Sequence, residues 1–145
     1  MTIRQSDIQI QACKLWAEAN AAEEDGRLLE AEALYTVAAE LGYHLAMNSL
    51  AVLLEDVIHA PRAAEAVYWL KRAVDAGSDM AAWNLAMRQR LAGRRRWYIH
   101  WLTIAEQMGH EEATQALAVA TTRDDIWWAL DGVNPPPFVK EPPLA

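Results

Sequence analysis

The sequence predicts an all-α solenoid of antiparallel helix pairs, about seven to eight helices long, on three observations. Alanine supplies much of the 53% hydrophobic composition, and it is the strongest helix former, while mean hydropathy stays near zero. Glycine and proline, the residues that interrupt helices, are scarce before residue 130. One ten-residue pattern, Gly-x-x-x-Ala-x-x-x-Leu-Ala, returns three times along the chain, and self-similarity at such a period marks a repeat architecture.

The copies are Gly42/Ala46/Leu50/Ala51, Gly77/Ala81/Leu85/Ala86 and Gly109/Ala113/Leu117/Ala118. Four residues before each Gly stands an alanine (Ala38, Ala73, Ala105), and eight before it a large apolar residue (Leu34, Trp69, Trp101). A degenerate copy lies upstream, with Ile8 in the Gly place followed by Ala12, Trp16 and Ala17, so successive copies are 34, 35 and 32 residues apart. A Gly just past a helical run supplies a left-handed C-terminal cap. The residues four and eight before it share one face of the helix that ends there, and those four and eight after it share one face of the next. Small alanines at these places let neighbouring helices approach closely.

The pattern predicts helices near 6–24, 27–41, 44–56, 61–76, 79–91, 94–108 and 111–121. A short eighth is expected over 123–131, opened by Thr122 and Asp125 in capping-box spacing. Asp25-Gly26, Ala60-Pro61 and Gly93 mark the remaining turns, Pro61 sitting well at a helix start. A 145-residue chain fits one domain with a real core, here a repeat domain over 1–131. Residues 132–145 form a tail, with five prolines from 134 onward, an extended composition that cannot join a helix.

Val67-Tyr-Trp-Leu-Lys-Arg-Ala-Val-Asp-Ala-Gly77, continuing to Ala81 and Leu85-Ala86, resembles the Sel-like repeat, a relative of the tetratricopeptide repeat. Ile104-Ala-Glu-Gln-Met-Gly-His-Glu-Glu-Ala113 is similar to it as well, and the likeness covers roughly residues 8–120. It departs from the family where Ala replaces the Gly after each repeat Leu and where the Gly-x-Gly-Val loop between paired helices is missing. The resemblance implies a right-handed α-solenoid with shortened corners. It also implies a non-enzymatic adaptor that holds a protein segment in a concave groove.

The residues speak against several other classes. The first residues carry no apolar run of signal-peptide type, and no stretch approaches eighteen apolar residues, so a cytosolic protein of bacterial type is expected. Cys13 is the single cysteine, which excludes an intramolecular disulfide. His44, His59, His100 and His110 follow no metal-ligand spacing, and a helix N-terminus accounts for His44 and His110. Glu23-Glu24, Glu111-Glu112 and Asp124-Asp125 are adjacent pairs near helix ends. Adjacent residues point about 100° apart, which suits capping and solvation better than paired acid–base work. Ser6, Ser49 and Ser78 lie in no nucleophile motif, and no phosphate-cradling glycine loop is present. No cofactor and no catalytic residue is expected.

Charge is unevenly spread within a net −7. Residues 1–60 hold ten acids against three bases, residues 61–100 three against eight, and residues 101–145 seven against two. Arg88, Arg90 and Arg94-Arg95-Arg96, followed by Trp97 and Trp101, are the sharpest local feature. One reading is a ladder of ion pairs between this corner and the acidic corners at Glu55-Asp56 and Asp124-Asp125. A second is a docking patch for an acidic protein. A third is a phosphate-binding surface with aromatic stacking, which would make the chain a nucleic-acid-associated regulator, although overall acidity opposes that class.

Seven tryptophans are a high load. Trp16, Trp69 and Trp101 fall on core positions, and Trp127 and Trp128 suit a cap over the solenoid's open end. Trp83 differs: two residues from both Ala81 and Leu85, it points about 200° away from the packed stripe, toward the groove. Lys14, Asn48 and Gln115 hold the same place in the sister copies. The likeness to tetratricopeptide grooves adds Glu18, Leu45, Val52, Met80, Met87, Arg90 and Glu112. A Trp flanked by methionines, with amides on neighbouring helices, suits a peptide-binding hot spot. The alternative is that the proline-rich tail folds back over Trp83. The most specific expectation is an immunity or antitoxin protein whose acidity steers a basic toxin. In the groove reading, Trp83 is dispensable to the fold.

Overall fold

The computed structural model of the chain describes residues 4–56 and 62–122. Seven α-helices run through them: α1 (Gln5–Glu24), α2 (Leu28–Glu40), α3 (His44–Asp56), α4 (Ala63–Asp75), α5 (Asp79–Leu91), α6 (Arg95–Gln107) and α7 (Glu111–Thr122). No strand occurs among the described residues, and no helix there is long and apolar enough to cross a membrane. The expected eighth helix, the Thr122–Asp125 capping box, His59, Pro61, Asp124-Asp125, Trp127, Trp128 and the tail 132–145 involve residues outside those described. The helices fall into two compact units, Met1–Ser78 with α1 to α4 and Asp79–Ala145 with α5 to α7. In the first unit α1 packs on α2, α2 on α3 and α3 on α4; in the second α5 packs on α6 and α6 on α7. Within each unit this is the solenoid-like order that the repeat predicts, each helix lying against the next one in that unit.

The corners explain the repeat glycines. Gly42, Gly77 and Gly109 take φ of +94°, +100° and +91°, a region L-residues rarely enter. At each corner two backbone bonds close a Schellman cap. Gly42 donates to Ala39 and Tyr43 to Ala38; Gly77 donates to Val74 and Ser78 to Ala73; Gly109 donates to Glu106 and His110 to Ala105. The alanine four before each Gly is therefore also the carbonyl that receives the outer cap bond. Gly26 and Gly93, with φ of +79° and +72°, close the other two described corners the same way, onto Ala22 and Gln89.

The packed stripe is buried as the repeat demands in its inner copies. Ala38, Ala46, Leu50, Ala51, Ala73, Ala81, Leu85, Ala86, Ala105 and Ala113 are all buried, and Trp69 and Trp101 keep 6% and 8% of their surface exposed. The register loosens at the ends. Ala12 is buried but Trp16 is half-buried and Ala17 exposed, and beyond Ala113 Leu117 is half-buried and Ala118 exposed. Trp16 thus sits at the core's margin, its indole N–H donating to Ser49 Oγ at 3.0 Å. Leu34 is likewise half-buried.

Polar ties reinforce the first unit. Tyr35 is buried on α2, and its hydroxyl lies 2.5 Å from Asn20 Oδ1 and 2.6 Å from Glu23 Oε2 on α1. Burial first, then the Glu23 carboxylate, pushes this phenol well above its ordinary range. Arg62, just before α4, pairs with Glu32 on α2 and with Glu65 in the first turn of α4.

Candidate functional site

The second unit contains a hollow of about 520 Å³ lined by Trp83, Met87 and Arg90 of α5, Tyr98 of α6, and Glu112, Gln115, Ala116 and Val119 of α7. Heptad-like spacing brings the α5 residues together, since 83, 87 and 90 fall on one helix face. The same rule aligns 112, 115, 116 and 119 on α7. Five of the residues expected at the site, Trp83, Met87, Arg90, Glu112 and Gln115, meet here. Met80, on the same helix, is exposed.

The other five expected residues belong to the first unit. Lys14 and Glu18 are exposed on α1, Leu45 and Val52 are exposed on α3, and Asn48 is half-buried. None of them lines the first unit's own hollow of about 570 Å³, which lies among Gln9, Ile10 and Cys13 of α1 and Leu41, Gly42, Tyr43 and His44 at the corner between α2 and α3. There the Tyr43 hydroxyl approaches Cys13 Sγ at 3.8 Å. No pattern in the sequence pointed to that hollow, because its walls come from a helix N-terminal half and a corner thirty residues on.

Trp83 is less free than its helical position suggests. The ring is half-buried and stacks on His110, with centroids 5.0 Å apart and planes 28° from parallel. His110 is only 5% exposed. Its Nδ1 lies 2.9 Å from Asp79 Oδ2, and its Nε2 lies 3.2 Å from Glu112 Oε2 but off the hydrogen-bonding line. The bond to His110 is the first cause holding the Asp79 carboxyl below its ordinary range, assisted by backbone N–H groups at the start of α5. An ionised carboxylate only accepts, so Nδ1 of His110 carries the proton it donates. A helix N-terminus is part of the account of this histidine, as expected. Its burial, its carboxylate partner and its aromatic neighbour are not visible locally in the sequence.

In the arginine corner one side chain ties α6 to α7. Arg95 Nη2 donates to the Ala120 carbonyl at 2.8 Å, near the C-terminus of α7, where carbonyls lack helical partners and positive charge is favoured. The Arg90 guanidinium carbon stands 6.0 Å from the centre of the Tyr98 ring, and burial depresses the basicity of Arg88. On α6 the Trp97, His100 and Trp101 rings meet edge to face in sequence, at 5.3 Å and 5.1 Å. Among the described residues no group of three or more His, Cys, Asp or Glu is placed to hold a metal ion.

No protein-family model, curated protein or solved structure matches this chain.

Proposed function

We propose that this chain is a non-enzymatic protein-interaction module of Sel-like type that seats a partner segment in the groove centred on Trp83. The observation that carries the reading is the assembly, in one hollow, of Trp83, Met87, Arg90, Glu112 and Gln115. An indole, a thioether, an amide and two opposite charges can grip a peptide's side chains and backbone. The stack on His110 holds the indole in one orientation before a partner arrives, which lowers the entropy cost of binding.

The most specific form of the reading is a cytosolic bacterial immunity or antitoxin protein that neutralises a cognate toxin. A net charge of −7 favours encounter with a basic partner at long range. The test is affinity capture from the native cell with the full chain, beside Trp83→Ala and Gln115→Ala. A single protein retained by the wild type, lost by Trp83→Ala and weakened by Gln115→Ala, supports the groove. Equal retention by Trp83→Ala places binding elsewhere on the molecule, and retention of nucleic acid in place of a protein replaces the reading altogether.

A further inference from the structure

The groove is charged differently at its two ends. α5 and α7 run side by side in the same direction. Asp79 at the start of α5 bonds His110 just before α7, and Arg95 at the start of α6 reaches Ala120 near the end of α7. Of the charged residues that line the groove, Glu112 therefore stands at one end, where the helix starts also carry Asp79 and Glu111, and Arg90 stands at the other, in the last turn of α5. The apolar surfaces of Trp83, Met87, Ala116 and Val119 lie between the two ends.

Resting on the Trp83 groove as the partner site, we propose that it selects a bipolar peptide segment. The segment's cationic end lies at Glu112, its anionic end at Arg90, and an aliphatic side chain between them sits on Trp83 and Met87. Glu112 holds on α7 the place that Met80 holds on α5, and helical rise puts that level and Arg90 about 15 Å apart, which an extended chain spans in about five residues. Glu112 keeps 70% of its side chain exposed, and Arg90 is half-buried over Tyr98. Each matched end is therefore worth up to about fivefold in affinity, the ceiling for an exposed ion pair, and salt weakens it.

The test uses four acetylated, amidated pentapeptides, X-Ala-Leu-Ala-Z, with X and Z as Lys/Asp, Lys/Lys, Asp/Asp or Gln/Gln. Binding to the full-length isotope-labelled protein is followed through the Trp83 indole N–H resonance at low ionic strength. The Lys/Asp peptide is expected to bind tightest, ahead of each same-charge peptide by up to about fivefold for the lost pair and further where like charges meet, with the margin shrinking in 0.5 M salt. Glu112→Lys should shift the preference to Asp/Asp, and Arg90→Glu to Lys/Lys, with thermal melts confirming that both variants are folded. Tightest binding of Asp/Asp by the wild type, or equal binding of Gln/Gln, overturns the bipolar assignment while leaving the groove in place. If no peptide moves the Trp83 resonance, the groove reading falls with it.

Discussion

Replacing Trp83 with alanine separates what the ring does for the fold from what it does for a partner. The ring is half-buried and stacked on a histidine that is itself 5% exposed, so truncation removes both apolar burial and an aromatic contact. A burial of roughly 100–150 Å² at about 25 cal/mol per Å² gives about 2.5–4 kcal/mol. An unfolded chain that already buries part of that area brings the loss to about 2–3 kcal/mol. This exceeds the small cost implied by helical position alone, because His110 covers a face that the position leaves open. Trp83→Phe keeps a ring over the imidazole and should cost about 1 kcal/mol. Urea unfolding with unchanged slope would measure both losses. Affinity for a captured partner, measured on the folded fraction, should fall about thirtyfold for Trp83→Ala, the effect of a 2 kcal/mol hot spot, and much less for Trp83→Phe. If Trp83→Ala loses stability but binds like the parent, the ring serves only the fold. If it loses no stability, the stack on His110 does not form in solution.

Other expected outcomes follow from the same geometry. Ala81 is fully buried, so Ala81→Asp should destabilise the protein by several kcal/mol in a thermal or urea melt; a mutant melting like the parent would remove the repeat's close helix contact. Arg94, Arg95 and Arg96 together replaced by Gln should lower the melting temperature modestly, chiefly through loss of the Arg95 bond to Ala120, worth about 1 kcal/mol, with partner binding intact. Full stability with loss of a ligand would make the corner a binding site instead. The Asp79 carboxyl is held below its ordinary range by His110. Its contribution is thus complete above the unfolded value of about 3.9 and is lost as pH falls from there through the lower folded value. Asp79→Asn should match the wild type at the acid end of that window and fall below it at neutral pH by about 1 kcal/mol or less, the side chain being 45% exposed and screened. Parallel stability curves across the window would show that the His110 bond contributes nothing.

The sequence by itself determined the helices and their corners, because the determinants are local. A glycine placed where φ must be positive closes a cap onto the alanine four residues earlier, and the spacing of small and large apolar residues sets which face is buried. Helical periodicity singled out Trp83, and Gln115 as its equivalent because α7 repeats the register of α5, whereas Met87, Arg90 and Glu112 were expected beside them only through the likeness to tetratricopeptide grooves. Tertiary structure alone decided the rest. His110 is buried, bonded to Asp79 and stacked under Trp83 because α5 and α7 lie alongside one another across thirty residues of chain. The Arg95 side chain caps a helix that starts sixteen positions later in the sequence. The end copies of the repeat lose burial at Trp16, Ala17, Leu117 and Ala118, although their sequences carry the pattern. Periodicity specifies which face of a helix seeks a neighbour, but whether a neighbour is there, and which side chain it presents, depends on contacts that the chain makes only when folded.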